Sequence, residues 1–174
     1  GTFSAGLWFR STSDRGGKLL GFGTNQTGAS GGYDRHIYLL DDGRIRFGTW
    51  TGQVNIVTSE QALNDGRWHQ VVATLGAGGM QLFVDGALVA SDPNTGAQGM
   101  QGFWRVGGDV TWEGSSSWYS EADIDEVAVY PTVLTAAQVR SQFDLARGKV
   151  NTPPVARFTS STDGLQVSVD GSAS

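Results

Sequence analysis

The chain has 174 residues, 26 of them glycine and none cysteine, and a formal charge of −5. That length buries a substantial core, while the lack of cysteine excludes disulfides, thiolate catalysis and Cys-based zinc sites. An acidic balance without a Lys/Arg cluster argues against a nucleic-acid surface and disfavours anionic membranes, and no apolar run of membrane-spanning length or leader pattern occurs.

Residues 2–12, TFSAGLWFRST, alternate so that Phe3, Ala5, Leu7 and Phe9 share one face and Trp8 takes the other, which is the period of a strand. A turn at Asp14-Arg15-Gly16-Gly17 leads into a short strand at 18–23, KLLGFG. TNQTGASGGYDR, at 24–35, is too rich in Gly, Ser and Asn to pack, and reads as an exposed excursion at one rim. Residues 36–40 and 44–50 form a hairpin turning at Asp41-Asp42-Gly43, and 54–58 make a further strand.

The stretch 67–91, RWHQVVATLGAGGMQLFVDGALVAS, leaves little freedom in how it pairs. Val71, Val72 and Leu75 run into a turn at Gly76-Ala77-Gly78-Gly79, and Met80, Leu82, Phe83 and Val84 return. Asp85-Gly86, before Leu88-Val89, then suits a two-residue hairpin loop, whose central residues must tolerate positive φ. Strands at 103–106 and 122–130 flank a polar loop at 107–121. Thr135 caps a single helix, Gln138 reaches back to it, and Leu134 staples onto Val139, with Val139, Phe143 and Ala146 on one packed face. GKVNTPP follows as a linker, 148–154. Many short strands and one helix make the chain all-β.

Three segments carry a resemblance: TFSAGLWFRS, DGRWHQVVATLGAGGMQLFVDGALVA and, at 124–139, IDEVAVYPTVLTAAQV. Together they resemble a bacterial laminin G-like domain of the concanavalin A-like lectin/glucanase superfamily across residues 1–147. The resemblance implies a two-sheet antiparallel jelly-roll sandwich with one short C-terminal helix. It also implies a non-catalytic adhesion or binding module, extracellular, within a larger secreted bacterial protein whose neighbouring domains it contacts. Family members carry one or two strands before the point where this chain opens, so upstream sequence or another segment is expected to complete the sheet. Residues 155–174, after NTPP, resemble the start of a polycystic kidney disease-type (PKD) immunoglobulin-like domain, and are too few to close such a core.

Six tryptophans are many for this length, and their places matter more than their number. Trp8 and Trp68 fall inside strands and read as packed. Trp112, Trp118 and Tyr119 lie in the polar run TWEGSSSWYSE, and Tyr33, Arg35 and Trp50 lie at or near loops. These six are the candidate ligand-binding residues, because sugar C–H faces stack on aromatic rings while nearby polar groups take hydroxyls. The expected partner is a glycan or another cell-surface or extracellular-matrix ligand. The alternative is a structural or protein-contact sandwich with no small ligand, whose loop aromatics pack on their own domain.

Glu121, Asp123 and Asp125 stand at alternate strand positions and so share a face. EADIDE resembles the acidic strand of laminarinase-like glycoside hydrolases, which would make Glu121 the nucleophile, Asp123 its assistant and Glu126 the acid. Retaining hydrolysis needs two carboxyls about 5–5.5 Å apart. Ala122 stands where those enzymes carry a large aliphatic residue, and the strand continues into the laminin G-like VAVY pattern. Calcium is the other use of the acids, since hard carboxylate oxygens suit it and laminin G-like sandwiches often hold one at a rim. Its candidate ligands are Asp109, Asp123 and Asp125, with Asp34 as a fourth; hydrogen bonding by Asp125 within the fold is the competing role. His36 and His69 have neither a serine nucleophile nor metal-ligand spacing beside them, and read as packed, hydrogen-bonded side chains. Gly107-Gly108 precede no helix, so no phosphate loop is indicated.

Overall fold

The computed structural model describes residues 1–148, 159–163 and 166–170. Residues 1–143 form one compact unit and residues 144–174 belong to another. The first unit holds β1 (Phe3–Ser11), β2 (Gly17–Gly23), β3 (Tyr33–Leu39), β4 (Arg44–Trp50), β5 (Val54–Ala62), β6 (His69–Gly76), β7 (Gly79–Val84), β8 (Ala87–Asp92), β9 (Phe103–Val106) and β10 (Ala122–Tyr130), and the helix α1 (Ala136–Ala146) begins within it. The strands make two five-stranded sheets, β5-β4-β3-β2-β9 (the front sheet) and β10-β1-β6-β7-β8 (the back sheet), with every pairing antiparallel. This is the all-β sandwich with one short helix expected above.

Strand alternation explains the core. Phe3, Ala5, Leu7 and Phe9 of β1 face inward with Val71, Ala73 and Leu75 of β6 and Leu82 of β7, against Ile37 and Leu39 of β3, Ile45 and Phe47 of β4 and Val57 of β5. The outward residues of the back sheet meet α1, whose Val139 joins Val72, Phe83 and Leu134 in a second apolar cluster. Trp8 is packed as expected: its ring stacks on Phe143 at 5.7 Å with the planes 9° apart. Ala146, expected on the same helix face, is exposed, and the buried helix residues are Val139 and Phe143.

The local signals behave as their chemistry requires. Asp85 and Gly86 adopt φ of 51° and 76°, the paired positive values of a type I′ loop. The Gln138 backbone N–H donates to Thr135 Oγ1 at 3.2 Å and the Thr135 N–H donates to Gln138 Oε1 at 2.9 Å, completing the capping box. β5 runs past its expected end to Ala62. In the second unit β11 (Thr159–Asp163) pairs antiparallel with β12 (Gln166–Asp170). The rest of the linker after Gly148 and the opening of the PKD-like stretch lie outside the described residues. Among the described residues no helix is long and apolar enough to cross a membrane.

The Trp-His pair entering β6 divides its labour. Trp68, read from the sequence as packed, is 40% exposed, with the Arg10 guanidinium 5.4 Å from its ring centroid. His69 packs beside Phe9, and its Nδ1 lies 2.9 Å from Asp85 Oδ2 and its Nε2 3.1 Å from Asp65 Oδ1. The Asp85 bond, with Asp65 adding to it and burial opposing both, raises the His69 pKa above its ordinary value. The protonated imidazole is thus favoured by folding, so its contribution is complete below the unfolded pKa of about 6.5 and is lost as pH rises through the higher folded value. The thermal midpoint is expected to fall as pH is raised above about 6.5, and His69→Gln should flatten that slope. An equal slope in the variant would assign the dependence to other groups.

Candidate functional site

The front sheet turns its inner face to the core through Ile45 and Phe47 of β4, so Arg46, Gly48 and Trp50 point outward. Register places Val54 of β5 beside Trp50 and Ile56 beside Gly48. Trp50, Val54 and Ile56 are 37%, 44% and 39% exposed, a contiguous apolar strip at the sheet edge. On β3, Arg35 adopts φ of 53° and the pairing with β2 shifts register. That bulge changes the parity of the strand, so that Tyr33 meets His36 edge-on at 5.5 Å and His36 meets Tyr38 at 6.2 Å.

The polar loop at 107–121 folds back as a strap across this outer face. The Trp112 ring lies 4.5 Å from His36. A Cβ at Gly48 would overlap Trp112 Cζ3, so the absence of a side chain on β4 provides the seat. Farther along, the Glu113 carbonyl accepts from Arg46 Nη1 at 2.9 Å and Tyr38 Oη at 3.3 Å, and the Gly114 carbonyl accepts from the Asp41 N–H at 2.8 Å. The strap then returns to the edge of β2, where Tyr119 bridges Lys18 and its ring lies over Gly108.

At the foot of the strap lies a buried charge pair, of which the sequence reading singled out Asp109 but not Lys18. Lys18 is fully buried, with Nζ 3.8 Å from Asp109 Oδ2. Burial, partly countered by Asp109, pulls the Lys18 pKa down to about 8. Burial also works against the Asp109 carboxylate, but the bonds from Ser30 Oγ, the Ser30 N–H and the Val110 N–H, together with Lys18, outweigh it and hold that pKa below the usual carboxylate value. His36 is packed as expected but lacks the expected hydrogen bonds: the Tyr33 carbonyl approaches without good bonding geometry. Burial first, and then Lys18 beside it, hold the imidazole well below its ordinary pKa, so it is neutral.

The six candidate ligand-binding residues are therefore divided. Tyr33, Trp50 and Trp112 share the outer face of the front sheet, with Trp112 half-buried. Trp118 and Tyr119 are 49% and 57% exposed, but Tyr119 borders Lys18, which pairs with Tyr38, whereas Trp50 bonds Asp34 near the other end of β3. Arg35 lies at the rim of the core: its guanidinium bonds Asp34 Oδ2 and the Gln98 carbonyl and lies over the Phe3 and Phe22 rings.

The four carboxylates proposed for calcium are not one ligand set. Asp34 and Asp109 are buried acceptors on the front sheet, saturated by N–H and O–H donors. Asp123 and Asp125 lie on β10 of the back sheet, where Asp123 takes two bonds from Arg10 at 2.6 and 2.9 Å and Asp125 accepts from the Glu126 N–H. Among the described residues no three His, Asp or Glu side chains converge as a cation site, so this donor set does not fit calcium. Glu121, Asp123 and Asp125 do share the outward face of β10, and Glu121 and Asp123 line a shallow groove of about 360 Å³ with Arg10, Thr12 and Gly66. Glu126 adopts φ of 50°, at the irregularity in the β1 pairing.

A laminin G family model described as "Concanavalin A-like lectin/glucanases superfamily" matches residues 1–140. A search of curated proteins found no match. Among solved structures, the CBM40 carbohydrate-binding module of the Ruminococcus gnavus IT-sialidase is similar at a TM-score of 0.64 and 18% identity, over 82% of this chain and 82% of that one. That module also has a structure bound to alpha2,3 sialyllactose. The SAP-like pentraxin from Limulus polyphemus aligns at 0.58 and 16% identity, over 80% of this chain and 68% of that one. The binding domain of botulinum neurotoxin serotype G aligns at 0.60 and 13% identity, over 83% of this chain and 36% of that one. At such identities the likeness is one of fold. By the family match over residues 1–140, the chain belongs to the laminin G branch of the concanavalin A-like lectin/glucanases superfamily.

Proposed function

We propose that this chain is a non-catalytic glycan-binding module of an extracellular protein, and that it binds on the outer face of the front sheet. One observation carries the reading. Trp112, seated over Gly48, extends the exposed strip of Trp50, Val54 and Ile56 into a shelf bordered by Tyr33. Indoles offered to solvent on a rigid sheet stack on the C–H faces of sugar rings at little cost in conformational entropy. The sialyllactose complex of the CBM40 neighbour supports the glycan class, since a module of the same fold binds one.

The test is retention on a glycan array, with Trp50→Ala and Trp112→Ala compared at matched thermal midpoints. Each variant is expected to weaken binding at least tenfold, equivalent to about 1.4 kcal/mol. Wild-type affinity in both would remove the shelf from the site. Absence of any retained glycan would leave the sandwich as a protein-contact or spacing element.

A further inference from the structure

The charges under the strap are seated by the sequence at a cost to the sheet. A Cβ at Gly21 would press on Lys18 Cδ, Cε and Nζ at 3.1–3.3 Å, and one at Gly23 would overlap the Asp109 carboxylate and the Ser30 hydroxyl. Glycine inside a strand weakens it, so both positions give up strand stability to make room for an ammonium and a carboxylate.

The charges so seated do not balance. Asp109 faces two cations, Lys18 Nζ and Arg105 Nη1, each at 3.8 Å, while its own lone pairs are filled by Ser30 and Val110. Arg105 has further partners in the carbonyls of Asn25 and Gly28. Among the described residues Lys18 Nζ, which lies over the Tyr33 ring, has no hydrogen-bond partner, and neither do Thr111 Oγ1 and the two ring nitrogens of His36. Buried polar groups in native proteins are hydrogen-bonded, and a cluster of exceptions calls for a partner that the chain itself does not supply, be it water, an ion or a ligand. With His36 neutral, Lys18 and Arg105 exceed Asp109 by one positive charge.

Resting on the glycan reading above, we propose that Lys18, Thr111 and His36 form an anion-accepting subsite, opened by rotation of the Tyr33 ring, which takes the carboxylate or sulfate of an acidic sugar stacked on Trp112. The Tyr33 ring centroid is 5.8 Å from Nζ, and the residue is half-exposed, so a side-chain rotation of the kind that occurs in nanoseconds suffices. A carboxylate or sulfate supplies the missing negative charge and accepts from the ammonium, the Thr111 hydroxyl and a ring N–H of neutral His36. The shelf alone recognises sugar faces; this subsite selects among them by charge.

The test uses the whole chain on an array of neutral, carboxylated and sulfated glycans, with Lys18→Met and Thr111→Val as variants. Acidic glycans are expected to bind at least tenfold more tightly than their neutral counterparts, with the preference fading as pH rises past about 8, where Lys18 loses its proton. Lys18→Met should abolish the preference and retain neutral binding. Thr111→Val should weaken acidic glycans about tenfold and leave neutral ones unchanged; it carries the test if Lys18→Met does not fold. Retention of neutral glycans alone, or a preference surviving in both variants, would mean that these buried groups meet internal water only, with the shelf still standing. No retention on any glycan would overturn the shelf and the subsite together.

Discussion

Asp34→Ala is expected to destabilise the fold by about 3–5 kcal/mol, the range for breaking a buried, hydrogen-bonded ion pair. The carboxylate is fully buried and serves three backbone segments. Its Oδ1 accepts from the N–H groups of Arg35 and Trp50, each at 2.8 Å, and its Oδ2 accepts from the Gln98 N–H at 2.6 Å and the Arg35 guanidinium at 3.2 Å. Alanine leaves those amides without acceptors, at about 1–3 kcal/mol for each one that water cannot reach, and strips Arg35 of its counter-charge. Some of the loss is recovered, because Arg35 keeps the Gln98 carbonyl and the Phe3 and Phe22 rings. Asp34→Asn retains one acceptor oxygen but turns an N–H₂ donor toward a donor, so an intermediate loss of about 1–3 kcal/mol is expected. Urea unfolding measures both. A loss below about 1 kcal/mol for the alanine variant would show that water satisfies the three amides, and Asp34 would then cease to be the pin that fixes Trp50.

The contrast between Asp34 and Asp85 shows which parts of the molecule were legible in the sequence. Asp85-Gly86 determines its own turn, because the φ values it needs and the residues that tolerate them are adjacent. The Thr135–Gln138 cap and the inward file from Phe3 to Phe9 are readable for the same reason: local chemistry decides them, and packing agrees. Asp34 lies in a polar loop stretch where an acidic residue reads as a solvated rim ligand, and its burial depends on three amides 1, 16 and 64 residues away. Arg35 reads as a ligand-binding candidate from its place at a polar loop, but a one-residue bulge breaks the period-two rule on which any face assignment rests. The strap was unreadable in the same way, since its anchors on β3 and β4 are distant in sequence. One signal was present and went unused. Gly21, Gly23 and Gly48 sit inside otherwise strand-like runs, and a strand glycine marks the close approach of another group; together they outline the face to which the strap, Trp112 and the buried charges are fitted.

Gly48 therefore offers the sharpest separation of binding from folding, and Gly48→Val is expected to lower glycan affinity at least tenfold while the domain stays folded. A valine Cβ would overlap the Trp112 ring at Cζ3 and stand 2.9 Å from Cε3 and 3.2 Å from Ile56 Cγ2. Trp112 belongs to a surface strap, so the ring is forced off its seat before the sheet is deformed. Two stability effects oppose each other: overpacking costs about 1–3 kcal/mol, and replacing a strand glycine by a β-branched residue returns up to about 1 kcal/mol. The net loss of about 0–3 kcal/mol is smaller than the stability of a domain of this size. The aromatic shelf, by contrast, loses its central member. Tryptophan fluorescence should shift to the red as the indole leaves His36 and Gly48, and the glycan titration should weaken in parallel. Full affinity together with the red shift would mean that the sugar contacts only Trp50 and its neighbours on β5, and Trp112 would be left as a clasp for the strap.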